Sequence, residues 1–262
     1  MKKVFLTLVL ALTISVANAW EKHADEGVVV LATKHLTPKA KSVVQSYLGK
    51  SYLDDVYYLN TLEQKKLATY SNEIHYLHLD KDLKPMKVDG DDAFAAIENS
   101  LAIIRARDSY SKDEVIKALR TVINLMCDIH NFTYVRIEGI PHSQQHFKVT
   151  CYEADYGKRK FTSLIKWTRF WLSYTIWHKG TSGDLWAEDI DLCLGSKREE
   201  LSQGTLQDWV SQIGAKAAEL YTRITPEYVM TRRERNELED LNYEMMARAG
   251  YRLAVLLNEN LK

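Results

Sequence analysis

Apolar residues recur at steps of three and four through most of the chain. Phe94, Ile97, Leu101 and Ile104 predict a helix within 91–107, and Leu238, Leu241, Met245, Ala249, Leu253 and Leu256 predict a longer one near the C-terminus. Thr37-Pro38 joins an N-cap to a proline at the first helical position and opens a helix to about Gly49. Ser111-Lys-Asp-Glu114 has the form of a capping box and opens a helix to about His130. Thr205 to Arg223 reads as another. Residues 161–178 read as an aromatic-rich helix carrying Trp167, Phe170, Trp171, Tyr174 and Trp177, whose rings suit a core. Alternation of apolar and polar positions is confined to Phe147, Val149 and Cys151, which suggests one short strand or hairpin around 135–156, and to a short stretch at Ile74-His75-Tyr76-Leu77-His78. The expected fold is all-α: a multi-helix bundle with a small β-hairpin.

The first nineteen residues follow a different rule. Lys2 and Lys3 precede an apolar run from Val4 to Val16, and Ala17-Asn18-Ala19 is an A-x-A cleavage site. A signal peptide over 1–19 is expected, followed by one domain over 20–262 that is secreted or periplasmic and starts at Trp20. No later stretch approaches the roughly 18 uninterrupted apolar residues of a membrane span, so no stable membrane insertion is expected. The chain carries 35 basic and 35 acidic residues, so it has none of the excess positive charge of a protein held on nucleic acid by phosphate neutralisation. Three cysteines, Cys127, Cys151 and Cys193, allow at most one bridge and leave one thiol over. No CxxC spacing, phosphate-binding glycine loop, HExxH motif or Ser-His-Asp order is present.

Candidate chemistry is scattered. Between Val122 and Ile129 the polar residues are Asn124 and Asp128, four apart and therefore on one helix face. Lys117 and Thr121 extend that stripe, which also fits a solvated edge. In apolar surroundings, however, a carboxylate needs a partner or a metal. Cleavage before Trp20 would leave a free α-amine, a nitrogen ligand once deprotonated. Asp54-Asp55 and His75 complete the candidates.

In order and spacing these segments resemble the zinc-dependent S1/P1 nucleases, relatives of the bacterial zinc phospholipases C. The opening Trp20-Glu-Lys-His-Ala-Asp25, Leu53-Asp54, Ile74-His75-Tyr76, Asn124-Leu-Met-Cys-Asp128-Ile-His130, Asp208-Trp209 and Ala249-Gly250-Tyr-Arg252-Leu253 carry the likeness, which spans the mature chain. The resemblance implies a mostly helical fold with metal ions in a cleft. It also implies hydrolysis of single-stranded nucleic acids or of 3′-nucleotides. It assigns Trp20, Asp25, Asp54, His75, Asn124 and Asp128 as metal ligands, with Asp54 and Asp128 catalytic. Asp25 and Asn124 stand where the family has histidines. Tyr134, Ile165 and Arg169 stand where a third metal's ligands are expected, so one or two ions are expected rather than three. The oxygen-rich set shifts preference from Zn²⁺ towards Mg²⁺, Mn²⁺ or Ca²⁺. Arg169 becomes a candidate phosphate-binding cation. Two alternatives share the scaffold: a non-catalytic ligand- or nucleic-acid-binding protein, and a phospholipase C-like phosphodiesterase.

Overall fold

The computed structural model describes residues 20, 22–50, 72–88, 90, 92–144, 147–156, 159–171 and 182–262. The expected signal segment and Asp54 lie outside the described residues. What is described is mainly helical, with two small sheets of two strands each.

Local sequence explains most helix boundaries. Helix α1 (Lys22–Lys34) has Asp25 in its first turn and Lys34 in its last, both favourable to the helix dipole. Helix α2 (Pro38–Leu48) is capped by the Thr37 hydroxyl, which accepts from the Ala40 amide, and ends at Gly49 with φ of 84°. After strand β1 (Leu77–Leu79) comes α3 (Ala93–Arg105), capped by Asp92. Helix α4 (Lys112–Asp128) opens with the expected Ser111–Glu114 capping box and stops at Asp128, two residues before His130. Strand β2 (Val135–Ile137) runs parallel to β1, with Leu77 opposite Val135 and Leu79 opposite Ile137.

The hairpin differs from expectation. It is formed by β3 (Lys148–Tyr156) and β4 (Arg159–Lys166), antiparallel, with an irregularity between Tyr152 and Ala154. Residues 161–166, expected to begin the aromatic helix, are therefore strand. Helical geometry begins only at the turn Trp167–Arg169. The reason is pairing: Ile165 lies opposite Val149 and Thr162 opposite Tyr152, and β-branched residues suit such cross-strand positions. Of the aromatic residues that follow, Trp167, Phe170 and Trp171 form core, and Tyr174 and Trp177 lie outside the described residues. Trp167 stacks on Phe170 at 5.5 Å and meets Trp171 edge-on at 5.5 Å.

Four helices complete the chain: α5 (Gly183–Leu194), α6 (Arg198–Ser202), α7 (Leu206–Arg223) and α8 (Arg232–Asn260). Helix α8 touches α1, α4, α5 and α6, and α1 lies along α5. The α1–α5 crossing is close because both helices put glycine there. A Cβ on Gly27 would come 2.5 Å from Cβ of Trp186, and one on Gly183 would come 2.9 Å from the Glu26 carbonyl carbon. All three cysteines are free, Cys127 and Cys151 buried and Cys193 exposed. Among the described residues no helix is long and apolar enough to cross a membrane.

Candidate functional site

Three parts of the chain converge at the C-terminal end of α4. This helix contributes Asn124 and Asp128, the first turn of α1 contributes Asp25, and a 3₁₀ turn (Asn72–His75) contributes His75. The parallel β1–β2 pair explains the last of these. It pairs Leu77, two residues after His75, with Val135, seven residues after Asp128, which brings the two segments together.

The group is sealed from solvent. Asp25 is 1% exposed, His75 1%, Asn124 2% and Asp128 0%. His75 Nδ1 donates to Asp128 Oδ2 at 2.7 Å, and Asn124 Nδ2 donates to the same oxygen at 3.1 Å. The other oxygen, Asp128 Oδ1, has no hydrogen-bond partner among the described residues. The Trp20 backbone N–H donates to Asp25 Oδ1 at 3.1 Å. The Trp20 indole is buried too, and its Nε1 donates to Asn242 Oδ1 of α8 at 2.7 Å. The Tyr134 ring lies tilted 6.2 Å from that of His75.

Charge in this group is out of balance. Burial pushes the Asp25 carboxyl well above its ordinary range. The Asp128 charge pushes it further, and the Trp20 N–H pulls only partly back. Burial also raises Asp128, against the opposing pull of His75. The Cys127 thiol is pushed up by burial and then by both carboxylates, so it borders the same spot. Asp128 is moreover the last residue of α4, where the helix dipole disfavours an anion. A cation is the natural complement.

The structure thus brings Trp20, Asp25, His75, Asn124 and Asp128 together. Arg169 is exposed at the end of its helical turn, outside the buried group. Among the described residues no group of three His, Cys, Asp or Glu side chains is arranged to hold a metal ion. A metal here needs donors of other kinds, such as the Trp20 terminus, or from elsewhere, such as Asp54.

Two structural partners escaped the sequence reading. Asn242 links distant parts of the chain: it accepts from the Trp20 indole and donates through Nδ2 to the Trp171 carbonyl at 3.0 Å. Its signal is a polar residue four after Leu238, inside the apolar stripe of α8. His130 turns away from the site. Its Nδ1 donates to the Met126 carbonyl at 2.8 Å, and its Nε2 accepts from Arg252 at 3.1 Å. That imidazole is neutral, held well below its ordinary pKa by burial and by Arg252.

Compared with models of known protein families and with curated proteins, the chain matches none.

Proposed function

We propose that this protein is an exported, metal-dependent phosphoesterase that cleaves single-stranded nucleic acids or 3′-nucleotides, in the manner of the S1/P1 nucleases its segments resemble. The observation that carries the reading is the presence of two buried carboxylates, Asp25 and Asp128, both raised by burial and Asp25 further by the Asp128 charge, with Asp128 Oδ1 lacking any partner among the described residues. Buried charge left this way is costly unless an ion or a proton compensates it. The donor types suit a divalent ion: two carboxylates, an imidazole, an amide and, after cleavage before Trp20, a terminal amine. Asp25, His75 and Asp128 do not form a three-ligand group by themselves, so this reading needs the Trp20 terminus and Asp54 to complete it.

On this reading Trp20, Asp25, His75 and Asp128 hold the metal, with Asn124 and Asp54 completing the shell. Such an ion would lower the pKa of a bound water and neutralise phosphate charge. The chain's own contribution is orientation and exclusion. His75 and Asn124 fix the rotamer of Asp128 through its Oδ2, leaving Oδ1 to act as a ligand or to accept a proton from water. The buried Trp20 indole helps to keep bulk water out.

Elemental mass spectrometry on protein beginning at Trp20, combined with an assay on a single-stranded oligonucleotide, tests the proposal. The expected result is one or two ions per chain, and activity that Asp128→Asn abolishes. Absence of bound ion after incubation with Zn²⁺, Mn²⁺ and Mg²⁺ would overturn it. The second reading would then stand: a non-catalytic binding protein, in which the closed His75–Asp128 pair at 2.7 Å is purely structural.

A further inference from the structure

Away from the Trp20–Asp128 group, α6, α7 and α8 line a cavity of about 550 Å³. That is within the range of small-molecule sites. Two pairs of residues, each spaced by four and so each on one helix face, line it: Gln212 and Lys216 from α7, Arg248 and Arg252 from α8.

Arg252 is the unusual member. Its side chain is 0% exposed, yet every acceptor it meets is neutral. Nε donates to the Leu201 carbonyl at 3.1 Å, Nη1 to His130 Nε2 at 3.1 Å, and Nη2 to the Gln212 amide oxygen. The guanidinium also lies 5.2 Å from the Trp209 ring centroid. Five N–H groups are available on an arginine, and three are used. The acid whose charge favours the Arg252 cation, Glu244, is bonded to Arg248 Nε at 2.8 Å. Arg248 itself adds a second positive charge, and burial and that repulsion lower Arg252 to about 9. Buried arginine is ordinarily matched by a carboxylate or phosphate. Here the matching anion is not part of the described chain.

Gln212 shows how one could enter. It sits on the exposed face of α7, and it is the acceptor of Arg252 that a side-chain rotation can withdraw. We propose that this cavity binds a small organic oxyanion, whose carboxylate or phosphate group displaces the Gln212 amide oxygen from Arg252 and is met by Lys216. Replacing a neutral oxygen by a charged one roughly doubles the strength of the hydrogen bond. Ile213 and Met245, both buried, form the apolar floor of the cavity. Two acids also line the cavity. Asp208 is occupied, accepting from the Thr205 amide and hydroxyl at 2.8 Å each, whereas Glu200 is exposed on α6 and disfavours ligands of high charge.

The test is thermal unfolding of the chain beginning at Trp20 in sodium succinate and in sodium sulfate, against sodium chloride at equal ionic strength. Succinate reports a carboxylate and sulfate a tetrahedral oxyanion. A saturable rise in Tm with either supports the site, and the stronger one names the chemistry. Lys216→Gln should weaken the apparent affinity roughly two- to fivefold, the worth of a partly exposed ion pair. Gln212→Ala should strengthen it, because the competing acceptor is gone; a merely structural Gln212 would leave the anion dependence unchanged. Stabilisation no greater than that of chloride, or equal in the wild type and both variants, would overturn the proposal. Both substituted positions lie outside the Trp20–Asp128 group, so failure here leaves the phosphoesterase reading untouched.

Discussion

A single carboxylate shows how far stability and function pull apart in this molecule. Asp25 is buried beside Asp128, and the Trp20 backbone N–H donates to its Oδ1. Asp25→Asn keeps that acceptor oxygen and removes the repulsion. The metal-free variant should therefore be more stable than the wild type at pH 8, by about 1–3 kcal/mol, while its metal content falls. Chemical unfolding in EDTA and elemental analysis would read both signs. The pH dependence follows. A carboxyl with a raised native pKa holds its proton more tightly folded than unfolded, so this group's contribution falls as pH rises from the ordinary value of 3.8 through the folded one. Asp25→Asn should flatten that part of the curve. His130 acts the other way. Its native pKa is depressed below 6.5, so the unfolded chain gains a proton that the native chain refuses, and stability falls as pH drops below about 6.5. His130→Gln can donate to Met126 and accept from Arg252 as the neutral ring does, and should remove this acid loss. A variant whose stability still falls between pH 6.5 and 5 as the wild type's does would refute the assignment.

Among the elements, the helices with strong caps were legible: Ser111–Glu114, Thr205 and Thr37 each fix an N-terminus through bonds spanning three residues. The 161–166 strand was not legible, because its conformation is set by pairing with Lys148–Tyr156, a non-local term that overrides an aromatic pattern compatible with helix. Helix α1 went unread for a related reason. Its sequence KHADEGVVVLATK contains a glycine and three consecutive valines, all poor helix formers, and it is stabilised by packing on α5 and α8. That packing gives the next prediction. Gly→Ala in a helix interior usually gains about 0.5–1 kcal/mol. At Gly27 the added Cβ would sit 2.5 Å from Trp186 Cβ. The sign should reverse, with a loss of about 1–3 kcal/mol, as for overpacked cores. Because Gly27 is two residues from Asp25, metal binding should weaken as well. Calorimetric Tm together with metal affinity would check both; an unchanged Tm would mean that α1 and α5 slide apart at no cost.

At the scale of the whole molecule, the site depends on joining two distant parts of the chain. Trp20 is buried at the start of the described domain, and its indole is held by Asn242, 222 residues later. The cleavage pattern and the family resemblance put Trp20 among the expected site residues. That Asn242 holds it could not be read, since nothing in the sequence relates positions so far apart. The arrangement separates two proposed roles of Trp20. Packing of the indole and the hydrogen bond to Asp25 both survive if another residue precedes Trp20, because an amide N–H can still donate. The charge of a terminal amine, and its lone pair, do not survive. A chain with one alanine ahead of Trp20 should therefore fold with nearly native Tm in EDTA, yet bind metal roughly 10–100-fold more weakly, the usual cost of disturbing groups around a metal. Asn242→Leu should do the converse damage first: a loss of stability of about 1–3 kcal/mol from two broken buried hydrogen bonds, with metal affinity reduced only as far as Trp20 shifts. If the alanine-extended chain binds metal as tightly as the chain starting at Trp20, the terminal amine is not a ligand, and Asp25 must be balanced by a proton or by donors beyond the described residues.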